Sequence, residues 1–303
     1  MKLSFIGLGV MGTGMALNLG KGEKEGEYEF LACDMNEKVL ADFREQGFKT
    51  TNNIQDTADS DYIFMCLPNL EIVTEAVLGE KGLLKLLKPG QKIIDFSTIS
   101  YLGAVDIAEK CKEKGVEFLD CPISGKQSKS FEGKLSIMCG GNEEVFNEVK
   151  PMLDRMGEQV LYMGQSGSGQ LTKMINNNAL NICVASFSEL MPVGVKLGLD
   201  PEKLGDVLMT ATGSSFASQT LIPKVLEGNF EHSFSLGRAY KDMESLAEVL
   251  VKLEIPLPTL NGTMQSYQLA LQNGHRDDYK HAMIKFYEDM LDVKVRKEGF
   301  LEK

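Results

Sequence analysis

The opening stretch "KLSFIGLGVMGTGMALNL" places Gly7, Gly9 and Gly12 as GxGxxG directly after an apolar strand pattern and at the mouth of a helical one. That placement leaves few folds open. A strand from Leu3 to Ile6, a glycine turn and a helix from about Val10 to Leu19 make the first unit of a dinucleotide-binding fold. The first glycine permits the tight turn, the second lets backbone approach a pyrophosphate, and the third allows close helix-to-strand packing. The helix N-terminus attracts the phosphates. Leu8, Val10 and Met11, lying between these glycines, join them as candidate cofactor contacts.

The pattern then repeats as strand and helix. "YEFLACD" is a strand ending at Asp34, "MNEKVLADFREQG" a helix, and "YIFMCLP", "KIIDFST" and "VEFLDCP" are strands separated by helical stretches near 71 to 88 and 102 to 114. "LSIMCGG", a helix near 142 to 155 and "QVLYMG" follow. Such alternation predicts an α/β domain, a doubly wound and mostly parallel sheet. A carboxylate at Asp34 would accept from the ribose 2'-OH and repel a 2'-phosphate, which favours NAD; Lys38 nearby leaves NADP open. The alternative for Asp34 is a helix cap before Asn36. The charged "KGEKEGE" reads as a solvated helix-to-strand loop. Leu67, Pro68 and Thr98, in loops at the carboxyl edge of the sheet, are expected walls of the cofactor site.

At 303 residues two domains are the natural expectation, and composition shifts at the Gly/Ser-rich "MGQSGSGQ". We therefore expect a cofactor domain over 1 to 164 and an all-helical domain over 165 to 303, with helices near 201 to 210, 216 to 226, 236 to 253, 260 to 273 and 278 to 291. A net charge of -11 without a basic cluster argues against a nucleic-acid or anionic-membrane partner and for a small molecule. Six cysteines without CxxC spacing read as reduced thiols, and no export pattern or 18-residue apolar run is present, so a cytoplasmic location is expected. His232, His275 and His281 lack a metal-ligand spacing, so no metal site is expected.

The second half opens on "GQLTKMINNNAL", inside a long helical stretch reaching Lys196 that offers apolar residues on nearly every side. A helix apolar all round is expected to be buried. Its polar residues are not scattered: Lys173, Asn177 and Asn181 recur every four residues and share one stripe, with Asn176 beside it. Burying a lysine is costly unless something polar meets it. Pro192 is expected to kink this helix.

Four motifs in order, "FIGLGVMGTGMALNL", "DCPISGKQSKSFEGKLSIMCGG", "GQLTKMINNN" and "YKDMESLA", span nearly the whole chain and resemble the β-hydroxyacid dehydrogenase family. The resemblance implies a cofactor domain, a helical domain joined through one long central helix, and an active site in the cleft between them. It also implies that Ser124 and Gly125 hold a substrate carboxylate and that Lys173 is the proton donor or acceptor. Asn177 orients the substrate and Lys241 lies near the cofactor, although Lys241 reads equally as a surface charge paired with Asp242. The reaction implied is NAD(P)-dependent interconversion of a short β-hydroxy acid and its semialdehyde, in a homodimer or homotetramer. A positioned ammonium suits that chemistry, because hydride delivery to a carbonyl builds negative charge on oxygen.

The chain departs from the family pattern after Gly125, where Lys126 replaces a second glycine, and at Ser130 and Lys134, where Ala and Thr are common. We expect Lys126 to bind an additional anionic group of the substrate, with a solvated loop lysine as the alternative. Two other functions stay open at this point: a silent dinucleotide sensor, and another reductase of the superfamily such as an imine reductase or a 6-phosphogluconate dehydrogenase. The intact Lys173 and Asn177 stripe disfavours the sensor.

Overall fold

Alternating apolar strands build one sheet in the first part of the chain. The computed structural model describes residues 1–230 and 234–300; His232 lies outside them. The elements run β1 (Lys2–Ile6), α1 (Gly12–Lys24), β2 (Glu29–Cys33), α2 (Glu37–Glu45), β3 (Lys49–Thr51), β4 (Tyr62–Met65), α3 (Leu70–Leu78), β5 (Lys92–Asp95), α4 (Tyr101–Glu113) and β6 (Glu117–Asp120). They continue with β7 (Ile123–Ser124), α5 (Gln127–Glu132), β8 (Leu135–Gly140), α6 (Glu143–Leu153) and β9 (Gly157–Gly164). Two compact units divide the chain, Met1–Lys173 and Met174–Lys303.

The sheet order is β3-β2-β1-β4-β5-β6-β8-β7, with β9 on the far side of β8. β1 to β6 are mutually parallel, whereas β8 meets β6 and β7 antiparallel. The Rossmann-like, mostly parallel sheet is therefore as expected, and the chain reverses its winding between β1 and β4. Period-two alternation sends Phe5 and Phe64 to one face and Ile6, Ile63 and Met65 to the other, giving a core on each face. On the first face Phe5, Phe96 and Phe64 stack in a row at centroid spacings of 6.0 and 6.1 Å. Each such fully buried ring contributes roughly 2–3 kcal/mol of transfer free energy.

Two local expectations are corrected. The helical stretch expected near 71 to 88 is a helix only to Leu78, with a short 3-10 turn at Leu83–Lys85. α1 does not end near Leu19 but runs to Lys24, so half of "KGEKEGE" is helix. Gly20 and Gly22 are there for packing: a Cβ would stand 2.6 Å from the Phe48 ring and 2.2 Å from the Tyr28 hydroxyl. Three short elements, β3, β7 and α5, were not anticipated.

From Ser168 the chain is helical: α7 (Ser168–Lys196), α8 (Pro201–Thr210), α9 (Phe216–Leu226), α10 (Leu236–Lys252), α11 (Pro258–Gln272) and α12 (Ile284–Leu291). α7 is 29 residues long and continues through Pro192. The expectation that it is buried all round is wrong for this chain, since Ile175 is 56% and Leu190 59% exposed while Asn178 and Asn181 are 3% and 1% exposed. The amides turn inward because α10 offers them partners. Asn177 donates to the Asp242 carboxylate at 2.9 Å, and Asn181 donates to the Ala239 carbonyl at 3.4 Å while accepting from Lys280 Nζ at 3.3 Å. Among the described residues no helix is long and apolar enough to cross a membrane.

Candidate active site

Parallel strands deliver their carboxyl ends to one edge, and in the first unit that edge gathers most of the expected site. At the winding reversal, Gly7 follows β1 with φ +91°, and a Cβ there would stand 2.3 Å from the Cys66 carbonyl oxygen after β4. Only glycine fits. Gly12 is equally constrained, its virtual Cβ falling 1.9 Å from the Gly7 carbonyl oxygen. Gly9 differs, because nothing among the described residues lies within 4 Å of its virtual Cβ. Packing alone does not require glycine there, whereas close approach of a pyrophosphate does. These residues therefore fit a dinucleotide. Val10 is exposed beside Gly9, Met11 is half-buried, and the Leu8 side chain belongs to the core.

Asp34 stands one residue past β2, half-buried. Its Oδ2 accepts the Leu8 N–H at 2.6 Å and its Oδ1 accepts the Asn36 N–H at 2.7 Å. The carboxylate thus braces the glycine turn, and Asn36, not Asp34, caps α2. Leu67 is half-buried after β4, while Pro68 and Thr98 are exposed at the ends of their loops. The Leu67 N–H donates to Ser97 Oγ at 2.8 Å, tying the two loops together.

Beyond β6 the chain enters the loop that carries Ser124, half-buried, and Gly125 and Lys126, both exposed. Gly125 has φ +150° and a virtual Cβ 2.7 Å from Leu135, so glycine is required there. Lys126, where the family has a further glycine, caps α5 with φ -87°, a conformation open to any residue. Ser130 is fully buried and explains its own departure: Oγ donates to the Met11 carbonyl at 2.6 Å, tying α5 to the glycine turn. The Asn18 amide, on α1, donates to the Ser130 carbonyl at 2.8 Å.

Lys173 is half-buried on α7, five residues past its start. Two residues that sequence reasoning passed over hold that first turn. Asp120, at the end of β6, accepts the N–H groups of Gly167 and Gln170, and Gln170 is itself fully buried. The signal in the sequence was an acid closing each of the apolar strands "KIID" and "EFLD". Burial pushes the Asp120 carboxyl up to about 6 against the pull of these backbone donors. Burial likewise pushes Asp95 up to about 7, opposed by Ser97 and aided by the Asp120 charge. In the second unit, Asn177 is half-buried on the Asp242 carboxylate and Lys241 is exposed on α10. All six cysteines are free thiols.

Comparison with known proteins agrees with this geometry. Residues 2–164 match the NAD-binding domain of 6-phosphogluconate dehydrogenase, and residues 167–287 match the NAD-binding domain of NADP-dependent 3-hydroxyisobutyrate dehydrogenase. The chain is 34% identical to 2-(hydroxymethyl)glutarate dehydrogenase of Eubacterium barkeri over 97% of each chain. It is 30% identical to 2-hydroxy-3-oxopropionate reductase of Escherichia coli over 97% of this chain and 100% of that one. A solved 3-hydroxyisobutyrate dehydrogenase of Mycobacterium tuberculosis, in complex with L-serine, superposes with a TM-score of 0.81 at 25% identity, covering 94% of this chain and 98% of that one.

Proposed function

The chain belongs to the β-hydroxyacid dehydrogenase family, with 3-hydroxyisobutyrate dehydrogenase as a relative, and we propose that it interconverts a short β-hydroxy acid and its semialdehyde. The observation that carries this reading is the anchoring of Lys173. It sits three residues past Gln170, on a helical turn bonded directly to the ends of β5 and β6, the same strand ends that lead into Thr98 and Ser124.

In this reading Gly7, Gly9 and Gly12 would hold a dinucleotide, whose nicotinamide would supply hydride chemistry at the substrate carbon. Asp34 holds the ribose hydroxyl and favours NAD over NADP. Ser124 and the Gly125 backbone bind the substrate carboxylate, which fixes the carbonyl relative to Lys173. The Lys173 ammonium gives its proton to the carbonyl oxygen as charge develops there and takes one back in the oxidative direction. Asn177, one turn further along α7, donates one amide N–H to Asp242 and accepts a long bond from Asn176 at 3.5 Å, so its second N–H and remaining oxygen lone pair serve to orient a substrate hydroxyl. Lys241 keeps the cofactor contact that the family pattern assigns it. Lys126 meets a second anionic group, and the relative named for a glutarate, a dicarboxylate, supports that assignment. The exposed apolar residues of α7, Ile175, Leu190 and Val193, support a homo-oligomer.

The test is absorbance at the NADH band with a panel of semialdehydes. Lys173→Ala should still bind NADH and lose turnover by about 10²–10⁴-fold, the usual size of a general-acid contribution. Turnover kept within about threefold would remove the proton-transfer role.

A further inference from the structure

Asp120 divides its carboxylate between two backbone donors: Oδ1 accepts the Gly167 N–H at 2.7 Å and Oδ2 accepts the Gln170 N–H at 2.8 Å. Both donors open α7, where N–H groups lack intrahelical acceptors and a negative charge is favoured. Gln170 then uses both ends of its amide on the loop after β5. Its Nε2 donates to the Ser97 carbonyl at 2.7 Å, and its Oε1 accepts the Ile99 N–H at 3.1 Å. Thr98 lies exposed between the two gripped residues. The fit is tight, since a Cβ on Gly169 would stand 2.3 Å from the Met138 carbonyl oxygen and 2.4 Å from that of Asp120.

We propose that Asp120 and Gln170 are positioning residues that lock the first turn of α7 to the ends of β5 and β6, so that Lys173 and the Thr98 loop are presented in one fixed register. The proposal rests on the reading of Lys173 as proton donor. Its physical basis is the steepness of proton transfer with geometry: a misplacement of about 1 Å costs up to about 10²-fold in rate. Neither residue needs to touch substrate. A side chain that merely cemented the fold would change stability and leave the chemical step of the folded enzyme intact.

The experiment uses the full chain with Gln170→Met, Gln170→Glu, Asp120→Asn and Lys173→Ala. It measures kcat, KM, the NADH dissociation constant, thermal midpoint, and amide exchange over 167–173. Gln170→Met is expected to lower kcat about 30-fold or more while KM and NADH affinity move less than about threefold, with faster exchange in the first turn of α7. In Gln170→Glu the ionised carboxylate would face the Ser97 carbonyl oxygen, whereas the protonated acid donates to it. Its kcat should therefore recover as pH falls, a recovery absent from Gln170→Met. Wild-type kcat in a folded Gln170→Met, or a loss confined to KM and NADH affinity, overturns the positioning role even if Asp120→Asn does not fold. Turnover surviving Lys173→Ala instead overturns the parent reading, and the present proposal with it.

Discussion

Asp95 and Asp120 are register partners at the ends of neighbouring parallel strands, both without solvent exposure, and Asp95 Oδ2 has no hydrogen-bond partner among the described residues. Burial is the main reason the Asp95 carboxyl is pushed up to about 7 and that of Asp120 to about 6. In the unfolded chain such groups titrate near ~3.9. The folded state thus keeps protons that the unfolded state releases, so this contribution to stability is fully present below pH ~4 and is lost as pH rises through about 6 and 7. Asp95→Asn retains an acceptor for the Ser97 N–H and has no charge to bury. It should be more stable than wild type at pH 8 by roughly 1–3 kcal/mol and flatten the decline between pH 4 and 7. Urea unfolding at several pH values checks this, and an unchanged pH slope would count against it.

Asp34 braces Leu8, and in the proposed reading it also takes the ribose hydroxyl. Removing a charged acceptor from a partly buried N–H costs about 1.5–3 kcal/mol. Asp34→Ala should therefore weaken NADH binding by about tenfold or more and narrow any preference over NADPH. Fluorescence titration with both cofactors decides the point; an unaltered ratio of the two affinities would mean that Asp34 serves the turn alone.

Lys126 is exposed and unstrained, so Lys126→Gly should change stability by no more than about 0.5 kcal/mol. If its ammonium meets a second substrate anion, the variant should lose about tenfold in kcat/KM for dicarboxylate substrates relative to monocarboxylates. Equal losses for both classes would return Lys126 to the solvated surface.

The open face of α7 leads to the last expectation. Leu190→Glu places a charge among exposed apolar residues and should shift the protein to a smaller species in sedimentation, with its secondary structure retained. An unshifted species would place any contact between copies elsewhere.

The elements that carry the candidate site were legible because their signals are local. GxGxxG, the strand before it and the acid closing the next strand lie within one supersecondary unit, where period and turn chemistry suffice. The all-helical second part was legible for the same reason. Asp120 and Gln170 were not. Their partners lie 47 to 73 residues away in sequence, and only the sheet order decides which strand ends stand beside the start of α7. The asparagines of α7 show the same division. Spacing alone places Lys173, Asn177 and Asn181 on one stripe. That Asn177 and Asn181 turn inward to α10 while Ile175 and Leu190 face outward depends on which neighbour offers carbonyls and a carboxylate, because a buried amide must find partners whereas an exposed apolar side chain costs little. Local periodicity determined the elements and the chemistry they carry; long-range hydrogen bonding, set by topology, decided how that chemistry is held.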